Sequence, residues 1–170
     1  MTQRPNRQEA VPEGESAAIP TPGETESDRG PASIRLQRRI EWWDTDASGN
    51  YHNTAAFRLL ESAETLLLGR LGLLHDVYGR LPRARLEADF RAPLQFHDLV
   101  DVDLEVASVG RTSITYRMTI SRDDVLCVQA KAVAVLLAAA RGEPVEWPAD
   151  HRRLLLGSGP LAPELLPPVR

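Results

Sequence analysis

The sequence predicts an α+β domain in which one long helix packs against an antiparallel sheet of about five strands. Two observations support this class: one segment has the apolar period of a helix, and alternating apolar and polar residues mark strands before and after it. The later strand segments follow one another through short turns, which favours antiparallel pairing. With 170 residues, 42% of them hydrophobic, the chain can form one soluble domain with a sizeable core.

The first strand is predicted over residues 34–42, where apolar residues up to Trp42 alternate with polar ones. Over residues 53–74 the apolar residues recur at helical spacing, which predicts the long helix. Glu64 falls inside its apolar face and Glu61 lies on the flank of that face. A carboxylate next to a core is costly unless it is paired, so a salt bridge to an arginine is one interpretation of both residues.

Four strands are predicted after the helix. They cover residues 86–92, 100–106, 114–120 and 125–137, and the second has the clearest alternation in the chain. The last is apolar on both alternations, which is typical of a strand buried on both faces.

Proline and glycine near both ends predict three regions. Residues 1–33 are expected to be a disordered N-terminal tail, residues 34–156 the folded domain, and residues 157–170 a loose C-terminal tail. Leucines in the last region, at positions 161, 165 and 166, could dock on the domain.

Composition excludes several classes of protein. The net charge of -4 gives no case for nucleic-acid binding. The apolar run at residues 125–140 is interrupted by Gln129 and Lys131 and is too short for a membrane span. Cys127 is the only cysteine, so no intrachain disulfide can form, and no apolar segment follows the basic start of the chain. A cytoplasmic location is therefore expected.

The segment between the first strand and the helix is the candidate site. It carries Asp44, Asp46, a glycine at position 49 and His52. A carboxylate here would lie beside the free N–H groups and the positive dipole end of the helix, which can polarise a carbonyl. That arrangement is a minimal hydrolase site, although an aspartate at this position is often a cap or turn residue. His52 could likewise be a surface, turn or cap residue at the start of the helix.

The same residues also match the opening of a calcium-binding loop. Asp44, Asp46 and Ser48 would supply oxygen ligands, and Gly49 the turn. The twelfth position should then be a bidentate glutamate, but it is Ala55, and the preceding segment has the pattern of a strand. No metal site is therefore predicted.

These features resemble the hot-dog fold of the 4-hydroxybenzoyl-CoA thioesterase and acyl-CoA thioester hydrolase family. The first motif is residues 39–49, in which a strand is followed by Asp44, Thr45 and Asp46, a small residue and Gly49. Further agreement, over roughly residues 34–155, comes from Phe57 and Glu61 on the helix, from Ala92-Pro93-Leu94 with Asp98, and from Trp147-Pro148-Ala149-Asp150. The chain departs from the family at Ala56, where a tyrosine is usual, and at Asn53, where related hydrolases have a histidine.

The resemblance implies a hydrolase of acyl-CoA or acyl-carrier-protein thioesters that needs no cofactor and no metal. Asp46 would be the catalytic carboxylate, as a nucleophile or as a general base. His52 would be a general acid or a substrate contact. The Gly49 turn and backbone N–H groups of the segment from Tyr51 to Thr54, with Asn53 among them, would hold the thioester carbonyl.

The resemblance also suggests more distant contacts. Glu61 and Glu64 would be the alternative catalytic carboxylates, because other hot-dog thioesterases carry theirs on this helix. Arg111, after the turn at Gly110, would bind coenzyme A phosphates, although an ordinary solvated arginine is an equal alternative.

Hot-dog protomers commonly pair their sheets and place the site at the interface, so a homodimer or homotetramer is implied. Two rival functions stay open: a hot-dog dehydratase of a biosynthetic cluster, and a non-catalytic acyl-binding protein on the same fold. Asp46 argues against the non-catalytic rival, whereas Ala56 is compatible with it.

Overall fold

The computed structural model describes residues 29–167. Within this range the elements are β1 (Ser33–Arg39), α1 (Asn53–Arg70), α2 (Leu74–Val77), β2 (Arg83–Phe90), β3 (Leu99–Val109), β4 (Ser113–Arg122), β5 (Val125–Val135) and α3 (Ala149–Gly157). The predicted class, a long helix with a five-strand antiparallel sheet, is confirmed. Most of the predicted N-terminal tail, residues 1–28, lies outside the described residues.

The sheet has the strand order β1-β3-β4-β5-β2, and each neighbouring pair is antiparallel. One face carries the core, and α1 packs mainly over β1 and β3. The alternation in the sequence produces this face, because every second side chain of a strand points to the same side. Its fully or almost fully buried residues include Val102, Leu104, Ile114, Tyr116, Met118, Ile120, Val128, Ala130 and Ala132.

The opposite face of the sheet is polar. Arg35 on β1 forms an ion pair with Asp103 on β3, at 2.7 Å, and the register places Lys131 of β5 beside charged neighbours. Gln129 and Lys131 are exposed, whereas the alternate residues of β5 are buried. Within one protomer, the adjacent strands present charged side chains on this side of β5 and no second layer from the described residues covers it, so burial of β5 on both faces stays a prediction about the assembled oligomer.

The C-terminal segment closes one edge of the sheet. The Leu161 N–H donates to the Ser33 carbonyl at 2.8 Å, and the Gln37 N–H donates to the Glu164 carbonyl at 2.8 Å. Glu164 also pairs with Arg38 at 2.7 Å. The prediction of a loose tail is thus corrected for residues 157–167. An unpaired edge strand offers a row of donors and acceptors, and this segment satisfies them on β1.

The other edge, formed by β2, has no further strand paired to it from residues 29–167. β2 pairs with β5 on one side only. Leu86 and Phe90 are 40% and 49% exposed, because α1 lies over the far side of the sheet and leaves this end uncovered. The sequence correctly predicted a strand here, but not that its apolar residues face solvent in the protomer.

Element boundaries differ from the prediction at three places. β1 ends at Arg39, and Trp42 lies in a 3-10 helical turn with 75% of its surface exposed, so it is not a strand residue. The long helix ends at Arg70, because Gly72 adopts φ +72°; residues 71–73 lie between the two helices, and only Leu74 of the predicted span belongs to α2. Helix α3 was not predicted. Within residues 29–167, no helix has the length and apolarity needed to cross a membrane.

Candidate active site

A short loop between β1 and α1 holds Asp46. Thr45 and Tyr51 form an isolated antiparallel bridge at its base. Inside it, the Asp46 N–H donates to the Asn50 carbonyl at 2.9 Å and the Gly49 N–H donates back to the Asp46 carbonyl at 2.9 Å. Gly49 has φ +78°, a conformation that costs glycine little. The turn therefore places Asp46 immediately before the helix.

Asp44 fixes this loop to the helix. One of its carboxylate oxygens accepts from Arg58 of α1 at 2.5 Å, and the other accepts from the Glu41 N–H at 3.0 Å. Its backbone carbonyl accepts from the His52 N–H at 2.7 Å. Both carboxylate oxygens thus face protein donors, one of them a cation, so Asp44 supports the loop.

The Asp46 carboxylate is exposed, and one of its two oxygens accepts hydrogen bonds from the described residues. Its Oδ1 accepts from the Ser48 hydroxyl at 2.5 Å and from the Ser48 N–H at 2.8 Å. The hydroxyl bond, then the backbone bond, and finally the nearby His52 ring lower the pKa of Asp46 below its usual value. Asp46 is therefore ionised at neutral pH, and its Oδ2 has no hydrogen-bond partner within residues 29–167.

His52 caps the N-terminus of α1. Its Nδ1 accepts from the Thr54 N–H at 3.2 Å and lies 2.7 Å from the Thr54 hydroxyl. Because the cap requires the lone pair of Nδ1, the hydrogen of the neutral ring lies on Nε2. His52 thus has the structural role that was its alternative interpretation, and Nε2–H is left for any contact with a ligand.

The helix start offers one free backbone donor. Within residues 51–54, the first and second N–H groups donate to the carbonyls of Leu94 and Asp44, at 2.8 and 2.7 Å, and the fourth donates to the His52 ring. The Asn53 N–H has no acceptor in the described part of the chain. Of the backbone N–H groups predicted to bind the carbonyl, the Asn53 N–H is therefore the one that is free to do so, and it lies at the positive end of the helix dipole.

These groups line an open groove of about 490 Å³ between the Asp46 loop, the start of α1 and the end of β2. The lining residues are Asp46, Asn50, Tyr51, His52, Asn53, Phe90, Arg91, Ala92, Pro93 and Leu94. The Tyr51 hydroxyl is buried and has no partner among residues 29–167, and burial raises the pKa of Tyr51. Sequence reasoning missed Phe90 and Arg91 as site residues, because neither belongs to a local motif.

Glu61 and Glu64 line a different cavity, of about 450 Å³. Glu64 is 7% exposed and accepts two hydrogen bonds from Arg83, one at 2.9 Å. Burial and then the Glu64 charge raise the pKa of the neighbouring Tyr116. The salt-bridge interpretation is confirmed for Glu64, whereas Glu61 is exposed.

This cavity and the Asp46 groove lie at opposite ends of β2. The cavity meets β2 at Arg83 and the groove meets it at Phe90. Seven steps of strand separate these residues by roughly 24 Å. Within one protomer, the helix carboxylates are therefore not brought to Asp46.

Arg111 is also distant from the groove. It lies in the β3–β4 turn, pairs with Glu146 at 3.2 Å, and its side chain is 75% exposed. The Asp46 loop follows Arg39, which pairs with Leu99 at the other end of β3. The length of β3 puts the two ends about 34 Å apart, so one protomer does not bring Arg111 to Asp46.

Comparison with known proteins gives a family match. Residues 40–155 match the family described as "Thioesterase-like superfamily". A curated protein from Aquifex aeolicus (strain VF5), named "Putative esterase", is 24% identical over 98 residues, which cover 55% of this chain and 77% of that protein.

Similar solved structures include two with bound ligands. One is an aspartate-to-asparagine variant of 4-hydroxybenzoyl-CoA thioesterase complexed with 4-hydroxybenzoyl-CoA, with 25% identity, a TM-score of 0.66, and coverage of 72% of this chain and 98% of that one. The other is a thioesterase from Thermus thermophilus complexed with coenzyme A and Zn, with 23% identity, a TM-score of 0.65, and coverage of 75% and 94%. At 23% identity, the second likeness is one of fold.

Proposed function

This chain belongs to the thioesterase-like superfamily, and we propose that it hydrolyses acyl thioesters of coenzyme A or of an acyl carrier protein. One observation carries the proposal. An ionised carboxylate with a free oxygen, Asp46, lines the same groove as Asn53, whose N–H is free at a helix N-terminus among the described residues. These are the two functions that acyl transfer requires, an activated oxygen nucleophile and a donor for the developing oxyanion.

Asp46 can act in either of two ways. Its Oδ2 can attack the thioester carbonyl carbon, so that the C–S bond breaks, the thiolate leaves, and water then hydrolyses the acyl anhydride. Alternatively, it can take a proton from the water that attacks the carbonyl. Both routes yield a carboxylic acid and a thiol, and both need the ionised carboxylate that the Ser48 bonds favour.

Asn53 and His52 would assist at the two other charged positions of the reaction. The Asn53 N–H, with the dipole of α1, would stabilise negative charge on the carbonyl oxygen. The Nε2–H of His52 would donate a hydrogen bond to the sulfur of the departing thiolate, which would take its proton from water. Gly49 would keep the loop geometry, and the Tyr51 backbone would hold the helix start against Leu94.

We propose that the working unit is a homodimer, alone or as half of a homotetramer, formed through β2. The C-terminal segment occupies the β1 edge, so β2 is the free edge of the described sheet, and its Leu86 is exposed. Two-fold antiparallel pairing of β2 with its copy would bring the Phe90 end of one strand to the Arg83 end of the other. Each Asp46 groove would then open toward the second protomer's Glu61 and Glu64 cavity, which suits an acyl group.

Thiol release from a panel of acyl-CoA substrates tests the function. The purified full-length protein should hydrolyse at least one saturated, hydroxylated or aromatic acyl-CoA well above the uncatalysed rate. An Asp123→Asn variant is the control for loss of a carboxylate, because Asp123 is exposed in the β4–β5 turn. Tight binding of acyl-CoA without turnover of any member would instead support the non-catalytic acyl-binding function.

A further inference from the structure

The turn at residues 95–98, between β2 and β3, contains a strained residue. The Asp98 N–H donates to the Gln95 carbonyl at 3.1 Å and closes the turn. His97, at its third position, has φ +73°, in the left-handed region that glycine adopts readily and a residue with a Cβ adopts rarely. Such a conformation persists only where the surrounding contacts hold it, so this turn needs an anchor.

The side chain of Asp98 supplies that anchor. Its Oδ2 accepts from the Gln95 N–H at 2.7 Å, inside the turn, and from Arg122 at the end of β4 at 2.6 Å. The Asp98 and Arg122 side chains are 21% and 34% exposed, so this charge-assisted bond is partly shielded from water. One carboxylate oxygen thus ties the turn to the sheet.

The anchored turn holds the start of the segment that carries Asp46. The Ile40 N–H donates to the Asp98 carbonyl at 2.8 Å, and the Ile40 carbonyl accepts from the His97 N–H at 2.9 Å. Ile40 is fully buried, so this pair of bonds is also fixed against the core. The segment therefore leaves β1 from a position that the turn sets.

The same turn holds the end of that segment. Asn50 forms an isolated antiparallel bridge with Gln95. One residue further on, the Tyr51 N–H donates at 2.8 Å to the carbonyl of Leu94, which immediately precedes the turn. Asn53, whose N–H is the free donor of the proposed site, follows two residues later. Any movement of the turn would therefore change the position of this donor relative to the catalytic carboxylate.

We propose that Asp98 is a positioning residue, which through this turn sets the distance between the Asp46 carboxylate and the Asn53 N–H. The proposal rests on the proposed hydrolysis of thioesters at Asp46. The described residues that line the groove do not include Asp98, so it acts through the turn and not on the substrate. Because a displacement of about 1 Å between reacting groups can lower a rate steeply, loosening the turn should lower kcat more than it changes substrate binding.

Steady-state kinetics with the best acyl-CoA substrate test this role. Asp98→Ala removes both side-chain bonds and should lower kcat about tenfold or more, with KM within about twofold of wild type and the acid limb of the pH profile unmoved. Asp98→Asn keeps an oxygen for the Gln95 N–H and should retain most of kcat. Asp103→Ala removes the partner of another arginine, at 2.7 Å on the polar face of the sheet, and as the matched control should change neither parameter.

His97→Gly separates positioning from any other role of the carboxylate. Since glycine adopts this φ at little cost, the turn then depends less on its anchor, and adding His97→Gly to Asp98→Ala should restore kcat to within about threefold of wild type. If Asp98→Ala does not fold, Arg122→Met takes its place, because it removes only the tie to β4. A wild-type kcat in the single variant, or no rescue by His97→Gly, would overturn the proposal.

Amide hydrogen exchange of the protein without substrate tests the turn independently of catalysis. In Asp98→Ala, the Tyr51 N–H should exchange about tenfold faster than in wild type or more, whereas Asp103→Ala should leave its exchange unchanged. If the wild type hydrolyses no thioester, the proposed function fails, and faster exchange at Tyr51 still supports the role of Asp98 in fixing the helix start. Equal exchange in wild type and Asp98→Ala would overturn that role by itself.

Discussion

The Glu64–Arg83 pair should be the most sensitive electrostatic contact of the protomer. The two side chains are 10% and 18% exposed, so neither charge is well solvated. Arg83→Met would leave Glu64 next to the core without a counter-charge, which typically costs about 3–5 kcal/mol. For a chain of 170 residues, a loss of this size lowers the melting temperature by roughly 10 °C.

A double-mutant cycle separates the interaction between Glu64 and Arg83 from the effect of each residue alone. Replacing both residues, as Glu64→Leu with Arg83→Met, removes both desolvation penalties and should restore stability to within about 1–2 kcal/mol of wild type. Urea unfolding followed by circular dichroism, at one fixed protein concentration, measures all four proteins. The concentration must be fixed because the stability of a dimer depends on it.

The surface pair Arg35–Asp103 is the matched control. Its bond is 2.7 Å long, but its side chains are 52% and 37% exposed, so Arg35→Met should cost about 1 kcal/mol or less. A cost of Arg83→Met no larger than that of Arg35→Met, or simple additivity of the Glu64 and Arg83 substitutions, would show that the buried charges do not depend on each other.

Three further predictions follow from the site and the sheet edges. Ser48→Ala removes the hydroxyl hydrogen bond, which has the larger effect of the two Ser48 bonds on the pKa of Asp46. That pKa should therefore rise, and the acid limb of the kcat/KM profile should move to higher pH. The control Ser62→Ala should leave the limb in place, and an unmoved limb in Ser48→Ala would contradict the role of Ser48. Ending the chain at Gly157 uncovers β1, so the melting temperature should fall and light scattering should detect larger assemblies; an unchanged melt would mean that the segment does not close the edge. The wild type should be an oligomer at low micromolar concentration, Leu86→Glu should be a monomer, and Val125→Glu at another exposed site should assemble like the wild type; an active wild-type monomer would refute the proposed β2 interface.

Sequence reasoning was most successful where the signal is local. The period of α1 and the alternation of β3 are consecutive patterns, and they led to the α+β class and the family resemblance, which are both confirmed. Asp46 could be located because its loop is closed by neighbours within a few residues, Ser48 and Asn50.

The remaining features depend on contacts that are remote in sequence. The C-terminal segment pairs with β1 because that edge offers it unpaired groups; its leucines indicated that it could dock, but not where. Arg91 and Phe90 become site residues only because β2 ends beside the helix start. The distance from Asp46 to Arg111 follows from strand register, which the alternation alone does not specify.

The Asp46→Asn variant tests whether the Asp46 carboxylate performs the chemistry. The amide is neither a nucleophile nor a base, and Asn can keep the turn through its own side-chain oxygen. With the best acyl-CoA substrate, kcat should fall by roughly 10²-fold or more, while the melting temperature and the affinity for coenzyme A stay near those of wild type. Turnover by Asp46→Asn at close to the wild-type rate would exclude Asp46 as the catalytic carboxylate and would move that role to Glu61 or Glu64.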